Sequence, residues 1–141
     1  MALQDATQGT ALEEDALRVR AIMPTGAYPE VVCLCGSTRF GEAYREANLR
    51  LTLAGKIVLT VGCDMRSDAK LFADMPAEEV ARVKARLDNL HLRKCELSDE
   101  ILVLNVGGYI GESTARAIAF AELLDMPIRW LEEPIAAQAG Q

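Results

Sequence analysis

Residues 31–40 read VVCLCGSTRF, an apolar run followed by a glycine and a polar segment. A short apolar run before a glycine is typical of a strand that is buried on both faces of a parallel sheet. In the polar segment, Gly36 lacks a Cβ, and Ser37 and Thr38 carry hydroxyl groups. Arg39 adds a guanidinium group. The sequence therefore predicts a buried strand whose carboxyl end carries a loop suited to an anion such as phosphate.

Strands and helices alternate along the rest of the chain. Apolar runs predict further strands, and apolar residues at helical spacing predict the helices between them. After the strand Val31–Cys35, the predicted elements are the helix Glu42–Ala54, the strand Ile57–Val61, the helix Ala77–Leu97, the strand Ile101–Leu104, the helix Thr114–Leu124 and the strand Ile128–Leu131. This alternation predicts an α/β domain with a parallel sheet, right-handed crossovers and helices on both faces.

The regular pattern spans residues 30–132, which predicts one domain with a less regular segment on each side. Residues 1–29 form an N-terminal extension, expected to be partly disordered or one short helix, with Ala11–Ile22 as its amphipathic part. Within the domain, Cys63–Pro76 is polar and irregular, which predicts either a mobile lid or an ordinary solvated loop. Residues 133–141 form a weakly structured C-terminal tail.

Composition and charge restrict the class of protein. The chain has 141 residues, of which 50% are hydrophobic and 26% charged, so it can bury the core of one domain. Its net charge of -6 argues against binding to nucleic acid polymers or anionic membranes, although a small phosphorylated ligand needs only a local donor cluster. No apolar run approaches the roughly 18 residues of a membrane span, and no signal peptide pattern is visible. A cytoplasmic domain is expected.

The four cysteines are predicted to be buried, reduced thiols. Cys33 and Cys35 share one face of a strand and are therefore poorly placed to form a disulfide with each other, and Cys63 and Cys95 are isolated in sequence. A zinc site is typical of C-x2-C or paired histidines, whereas His91 is the only histidine of the chain. No metal site is predicted.

Ligands of parallel sheets bind beyond the carboxyl ends of the strands, where the strand order reverses. This rule selects Gly36–Phe40 after the first strand, where the alternative is an ordinary turn with Ser37 or Thr38 as the helix N-cap. It also selects Asn105–Thr114, NVGGYIGEST, whose three glycines allow a ligand to approach the backbone closely. Ser113 and Thr114 can cap the following helix, and a glycine-rich hinge without a ligand is the alternative here.

Residues 35–40, CGSTRF, and residues 99–114, DEILVLNVGGYIGEST, together resemble the nucleoside 2-deoxyribosyltransferase-like superfamily. The resemblance covers about residues 30–132. It implies a flavodoxin-like (Rossmann-like) parallel sheet of four to five strands with helices on both faces, assembled as a homodimer or higher oligomer. It also implies cleavage of the N-glycosidic bond of a nucleoside 5′-monophosphate, with the sugar passing to water or to another base.

The resemblance implies a mechanism without metal or organic cofactor. A carboxylate attacks C1′ of the sugar and forms a covalent intermediate, as in retaining glycosidases, while a second acid helps the base leave. His91 falls near the position of that acid, where nucleotide N-glycosidases have Asp. A partly buried, hydrogen-bonded histidine is the alternative. The substrate-binding residues that the resemblance implies are Gly36, Ser37, Thr38, Arg39, Gly108, Tyr109, Gly111, Glu112 and Ser113.

Ala117 occupies the position of the nucleophile. Relatives have a pattern like Ser-Thr-x-x-Glu-Ile, whereas residues 113–118 read STARAI, so the chain as written is expected to be inactive or very slow. Three interpretations stay open: a Glu→Ala substitution made to trap substrate, a natural divergence to a non-catalytic nucleotide sensor, or a nucleophile elsewhere, with Glu112 the nearest acid. A flavin-binding module is a weaker alternative, because no phosphate loop rich in Ser and Thr is present.

Overall fold

Four parallel strands form one sheet in the computed structural model, which describes residues 2–61 and 68–134. The strands are β1 (Val31–Cys35), β2 (Ile57–Leu59), β3 (Glu100–Val103) and β4 (Ile128–Trp130), in the spatial order β2-β1-β3-β4. Each neighbouring pair is parallel, with Cys33 opposite Leu59 on one side and Ile101 on the other. The predicted α/β fold of Rossmann-like type is confirmed.

Helices cover both faces of this sheet. The helices are α1 (Ala2–Ile22), α2 (Gly41–Leu53), α3 (Asp68–Leu71), α4 (Ala77–Glu96) and α5 (Glu112–Leu123), and a 3-10 turn covers Val106–Gly108. Most boundaries lie within two residues of the prediction. β2 ends at Leu59 rather than Val61, because it pairs with only the first three residues of β1.

Two apolar cores lie on opposite faces of the sheet, as the alternation of side chains along β1 requires. On one face, Val32 and Leu34 pack with α2 through Tyr44, Ala47 and Leu51. On the other face, Cys33 and Cys35 pack with α4 and α5 in a group whose buried helix residues are Cys95, Ala117 and Ala121. The strand at the centre is therefore enclosed on both faces and paired on both edges.

The carboxyl end of β1 is fixed by a close approach between Gly36 and two neighbours. A Cβ on Gly36 would lie 3.1 Å from both the Cβ and the carbonyl oxygen of Leu104, so a side chain at this position would force Leu104 to shift. The buried Tyr44 hydroxyl donates a 2.7 Å hydrogen bond to the Gly36 carbonyl oxygen. At the other end of β1, the Val31 amide donates to the Asp99 carboxylate, so Asp99 holds the start of the strand.

The N-terminal helix differs from its prediction in length and in character. α1 begins at Ala2 rather than near Ala11, and its side chains from Thr10 onward are all exposed. Its exposed apolar residues include Leu12, Leu17, Val19 and Ile22. Leu12 and Val19, seven residues apart, share one side of the helix, whereas Leu17 lies on another. Because all of these side chains are exposed, α1 packs no apolar face against the domain from Thr10 onward. Among the described residues, no helix has both the length and the apolar character needed to cross a membrane.

The Tyr44–Gly36 hydrogen bond predicts a specific loss of stability. Tyr44→Phe removes the hydroxyl that donates to the Gly36 carbonyl oxygen and keeps the ring, so the free energy of unfolding should fall by about 1–3 kcal/mol. Tyr28→Phe is the matched control, because Tyr28 is 83% exposed, and it should change stability by less than about 0.5 kcal/mol. Urea unfolding followed by Trp130 fluorescence measures both. Equal effects of the two substitutions would contradict the role of this hydrogen bond.

Candidate functional site

A cavity of about 790 Å³ lies beyond the carboxyl ends of β1 and β3. These strands are neighbours at the centre of the sheet, and the chain leaves β1 toward α2 on one face and β3 toward α5 on the other. The segments after the two strands therefore diverge and leave a crevice between them, as expected where strand order reverses. The cavity walls come from the loop after β1, the start of α5, one face of α4, and residues Leu71 and Phe72.

The structure brings most of the predicted site residues together around this cavity. The predicted residues in its wall are Gly36, Ser37, Thr38, Arg39, His91, Tyr109, Gly111, Glu112 and Ser113. Two predicted residues lie outside the wall. Gly108 is in the 3-10 turn with a positive φ of 79°, where it shapes the backbone that leads to Tyr109. Ala117 is fully buried, one helical turn beyond Ser113, and packs in the same core as Cys33, Cys35 and Cys95.

Arg39 is held in place by two other residues of the cavity wall. Its guanidinium carbon lies 4.3 Å from the centre of the Tyr109 ring, and its Nη2 donates a 3.3 Å hydrogen bond to the Tyr109 hydroxyl. Its Nε donates to the Ser37 hydroxyl at 3.2 Å, and its backbone amide lies 3.3 Å from the same oxygen. The loop after β1 and the turn after β3 are thus joined through one cation, which retains further N–H groups for an anion.

Both helices that follow the loops begin without a side-chain cap. The N-cap of α2 is Phe40, not Ser37 or Thr38, and the N-cap of α5 is Gly111, so Ser113 and Thr114 lie inside the first turn. The expectation that these hydroxyl residues cap the helices is therefore wrong. The first helical hydrogen bond of α5 runs from the Ala115 amide to the Gly111 carbonyl oxygen. The amides before Ala115 therefore lack helical partners and lie beside the cavity.

The face of α4 in the cavity wall carries charges that the sequence prediction missed. Lys84, Asp88 and His91 are spaced at i, i+4 and i+7, so they share one side of the helix, and all three line the cavity. From α5, Arg116 donates a 2.7 Å hydrogen bond to the Asp88 carboxylate and lies 3.7 Å from Glu112. Not all apolar side chains of this helix face the core, because Leu90 is 49% exposed and Leu97, at its C-cap, is 73% exposed.

The 3-10 turn after β3 is anchored by the chain that follows β4. The Asn105 side chain donates to the Glu132 carbonyl oxygen at 2.8 Å and accepts from the Glu132 amide at 3.0 Å. The Glu132 carboxylate in turn accepts from the Gly107 amide. Because Asn105 is buried, these bonds replace its lost contact with water and keep the turn close to the sheet. The first part of the glycine-rich segment, at Asn105 and Gly107, is therefore anchored to the chain that follows β4.

An apolar and aromatic side of the cavity comes from the end of α3 and the residue that follows it. Leu71 and Phe72 line the wall, and the Lys84 ammonium group lies 5.6 Å from the centre of the Phe72 ring. The segment Cys63–Pro76 is predicted to be either a mobile lid or a solvated loop. The structure describes it only from residue 68 onward, and residues 63–67 lie outside the described part of the chain. A flat apolar surface of this kind suits a planar, uncharged ring.

Behind the cavity wall, His91 reaches a group of buried thiols. Its Nε2 lies 2.9 Å from the Leu34 carbonyl oxygen and 3.7 Å from the Cys33 sulfur. The Cys95 sulfur lies 3.8 Å from that of Cys35 and 3.9 Å from that of Cys33. All three cysteines are free and buried, as predicted, and Cys63 lies outside the described residues.

The thiols influence one another's pKa values strongly. Hydrogen bonds with Cys33 and then Cys35 lower the pKa of Cys95 to about 3, and the charge of His91 adds to this effect. For Cys33, the hydrogen bond with Cys35 acts to lower the pKa, but the hydrogen bond with Cys95 and burial outweigh it and raise the pKa to about 12. The hydrogen bonds with Cys33 and Cys95, together with burial, raise the pKa of Cys35 well above its usual range. The hydrogen bonds among the three thiols therefore shift their pKa values in opposite directions.

No family model matches the chain, and a search of curated proteins finds no match.

Proposed function

We propose that the cavity binds a nucleoside 5′-monophosphate, with the phosphate between the loop after β1 and the start of α5. The observation that carries this proposal is the fixed position of Arg39, which is stacked on Tyr109 and bonded to Ser37 at the cavity wall. A guanidinium group that is ordered before a ligand arrives loses less conformational freedom when it pairs with a phosphate. The uncapped amides of Gly111–Ser113 add donors on the other side of the crevice.

The charges of the cavity support an asymmetric ligand. Arg39 lies at the strand ends, whereas the carboxylate of Asp88 lies on α4 and is paired with Arg116. A phosphate is favoured near Arg39, and neutral hydroxyl groups of a sugar suit the carboxylates, which accept hydrogen bonds. Phe72 and Leu71 provide an apolar surface for the base. The volume of about 790 Å³ lies within the range of about 300–1,000 Å³ for small-molecule sites.

The reaction that we propose for the natural form of the site is cleavage of the N-glycosidic bond, with transfer of the sugar to water or another base. Ala117 is buried behind the cavity wall, one turn beyond Ser113, so a glutamate at this position would have to extend its carboxylate into the cavity to attack C1′ as the base leaves. Water or a second base would then displace the enzyme carboxylate. Ala117 has no nucleophile, so this chain is expected to bind the nucleotide with little or no turnover. A non-catalytic nucleotide sensor is the second candidate, favoured by the same alanine.

Two side chains are candidates for the acid that assists the leaving base. His91 lines the cavity, but its Nε2 is directed to the Leu34 carbonyl oxygen. Asp88 lies one turn earlier on the same face of α4, and its carboxylate is held by Arg116. The acid position of the family that the chain resembles falls near His91, where relatives have Asp, and we propose Asp88 as the nearest carboxylate in the cavity wall that could take this role. A general acid must lie within hydrogen-bond distance of the nucleobase that it protonates. Asp88 or His91 can meet this requirement only if its side chain faces a nucleobase bound in the cavity.

We also propose that the protein forms a homodimer or higher homo-oligomer through the exposed end of α5. Leu123, the last residue of α5, is 83% exposed, and Leu124, its C-cap, is 45% exposed. The inner face of α5 is already buried against the sheet. Apolar side chains grouped at one exposed helix end favour contact with a second copy. Such a contact would leave the cavity, at the opposite end of α5, open to ligand.

Loss of Arg39 should weaken binding of the nucleotide selectively. Arg39→Ala is expected to reduce the binding free energy of a nucleoside monophosphate by about 1.5–3 kcal/mol, the value of a charged hydrogen bond, and to change nucleoside binding little. Calorimetric titration of both ligands measures this difference. Arg45→Ala, which removes an exposed cation of α2, is the matched control. Equal losses for nucleotide and nucleoside would show that Arg39 only supports the loop.

Restoring a carboxylate at position 117 should restore base release. Ala117→Glu is expected to raise the rate by several orders of magnitude, since each 1.4 kcal/mol of barrier is about a factor of ten, and to give a sugar adduct on the peptide that contains residue 117. Ala117→Gln is the matched control, because it adds the same bulk to the buried site without a nucleophile. Chromatography over a panel of nucleoside monophosphates detects the base, and mass spectrometry detects the adduct.

The outcomes of this experiment separate the candidates. Rapid base release by the unmodified chain would contradict the role of position 117 and direct attention to Glu112 or Asp88. Nucleotide binding without release by a folded Ala117→Glu protein would favour the sensor. In an active Ala117→Glu background, Asp88→Asn and His91→Gln identify the assisting acid, because its loss should slow release more for poor leaving bases than for good ones.

Self-association should depend on Leu123. The unmodified chain is expected to sediment as a dimer or larger species at tens of micromolar, and Leu123→Lys should shift it toward the monomer by placing charge in the contact. Leu53→Lys is the matched control, because Leu53 is 79% exposed but lies at the end of α2. A monomer at these concentrations, or equal effects of both substitutions, would contradict the proposed contact.

A further inference from the structure

Four potential metal ligands converge between β1 and α4. Cys33 and Cys35 come from the strand, and His91 and Cys95 come from the helix. Their sulfur atoms and a ring nitrogen of His91 all lie within 4.8 Å of one another. The sequence does not show this group because the residues form two short pairs, C-x-C and H-x3-C, rather than the C-x2-C spacing of common zinc motifs. Folding places the two pairs face to face.

The distances within the group match a tetrahedral centre. With zinc–sulfur bonds of about 2.3 Å and zinc–nitrogen bonds of about 2.0–2.1 Å, tetrahedral geometry separates two sulfurs by about 3.8 Å and a sulfur from a nitrogen by about 3.6 Å. The structure has 3.8 Å for Cys35–Cys95, 3.9 Å for Cys33–Cys95 and 3.7 Å between the Cys33 sulfur and His91 Nε2. Three edges of the tetrahedron therefore have nearly the required length before any metal is added.

We propose that Cys33, Cys35, His91 and Cys95 bind one zinc ion. Three thiolates and one imidazole are a ligand set typical of structural zinc, in which all four positions come from the protein. Binding transfers the thiol protons to the buffer as the sulfur–zinc bonds form, and involves no change of oxidation state. The complex carries one net negative charge, and the Lys94 ammonium group, bonded to the Thr60 carbonyl oxygen beside Cys33, lies where it offsets that charge.

His91 defines both the entry path and the competing interaction. It lines the cavity while the three cysteines lie behind it, so an ion reaches the thiols past the imidazole. In the metal-free protein, His91 Nε2 donates to the Leu34 carbonyl oxygen at 2.9 Å. The same nitrogen cannot donate a proton and bind zinc, so on metal binding the Nε2 proton passes to the buffer, the neutral ring keeps its one proton on Nδ1, and a coordinate bond replaces this hydrogen bond. The ion would then link β1, which leads directly into Gly36, to α4, which carries Asp88.

The full-length protein, fully reduced and free of metal, is titrated with Co²⁺ and then with Zn²⁺. One equivalent of Co²⁺ should give the visible bands of a tetrahedral ion together with sulfur-to-cobalt charge transfer, and Zn²⁺ should remove both. Because loss of even an outer partner of a metal site costs roughly 10–100-fold in affinity, Cys95→Ser and Cys35→Ser should weaken binding by at least that factor. His91→Ala should act in the same direction. Cys63→Ser is the matched control and should bind as the unmodified chain does.

X-ray absorption of the zinc-loaded, unmodified protein tests the proposal even where a cysteine variant does not fold. Three sulfurs at about 2.3 Å and one nitrogen at about 2.0–2.1 Å are expected around the ion. A shell of oxygen and nitrogen alone, an octahedral cobalt spectrum without charge transfer, or loss of binding in Cys63→Ser would overturn the assignment. Nucleotide binding plays no part in these measurements, so the zinc site stands or falls independently of the proposed function.

Discussion

The enclosure of β1 is the constraint on which the rest of the structure depends. The strand is paired on both edges and covered on both faces, so none of its five side chains reaches water. Only apolar side chains and thiols tolerate such a place without a dedicated partner. The strand therefore ends abruptly at Gly36, where the backbone passes Leu104 too closely for a side chain. The polar groups that follow are concentrated at one point, the mouth of the cavity.

The strands and their order of appearance are predictable because the signal is local. The apolar run before Gly36 and the corresponding run around Ile101 need no distant information to indicate burial. Helix N-caps are less predictable, because Ser37 and Thr38 have suitable hydroxyl groups yet lie in the loop, and Phe40 begins the helix. α1 shows the opposite case: from Thr10 onward all its side chains are exposed, so intrinsic helix preference rather than tertiary packing accounts for this part of the helix.

Some cavity residues can be predicted from the sequence, whereas others cannot. Glycines and hydroxyl residues near strand ends can be recognised from the sequence, and the structure places them at the cavity. Asp88 could not be recognised from sequence, because its partner Arg116 is on another helix and a charged residue on α4 looks like solvent-facing surface. The cluster of buried cysteines could not be recognised from sequence either, since Cys35 and Cys95 meet only through the packing of α4 on the sheet. A contact that forms only when two elements pack together cannot be predicted from the sequence of either element alone.

The sheet ends in two very short strands, β2 and β4, of three residues each. Beside them, Lys56 lies 3.3 Å from Glu30, and Arg129 donates a 2.7 Å hydrogen bond to Glu100, so charged side chains flank both edges. An unrelated chain that added itself to either edge would gain few ladder hydrogen bonds and would meet these charges. The protein can therefore place a highly apolar strand at its centre and still resist the edge-to-edge growth that leads to fibrils.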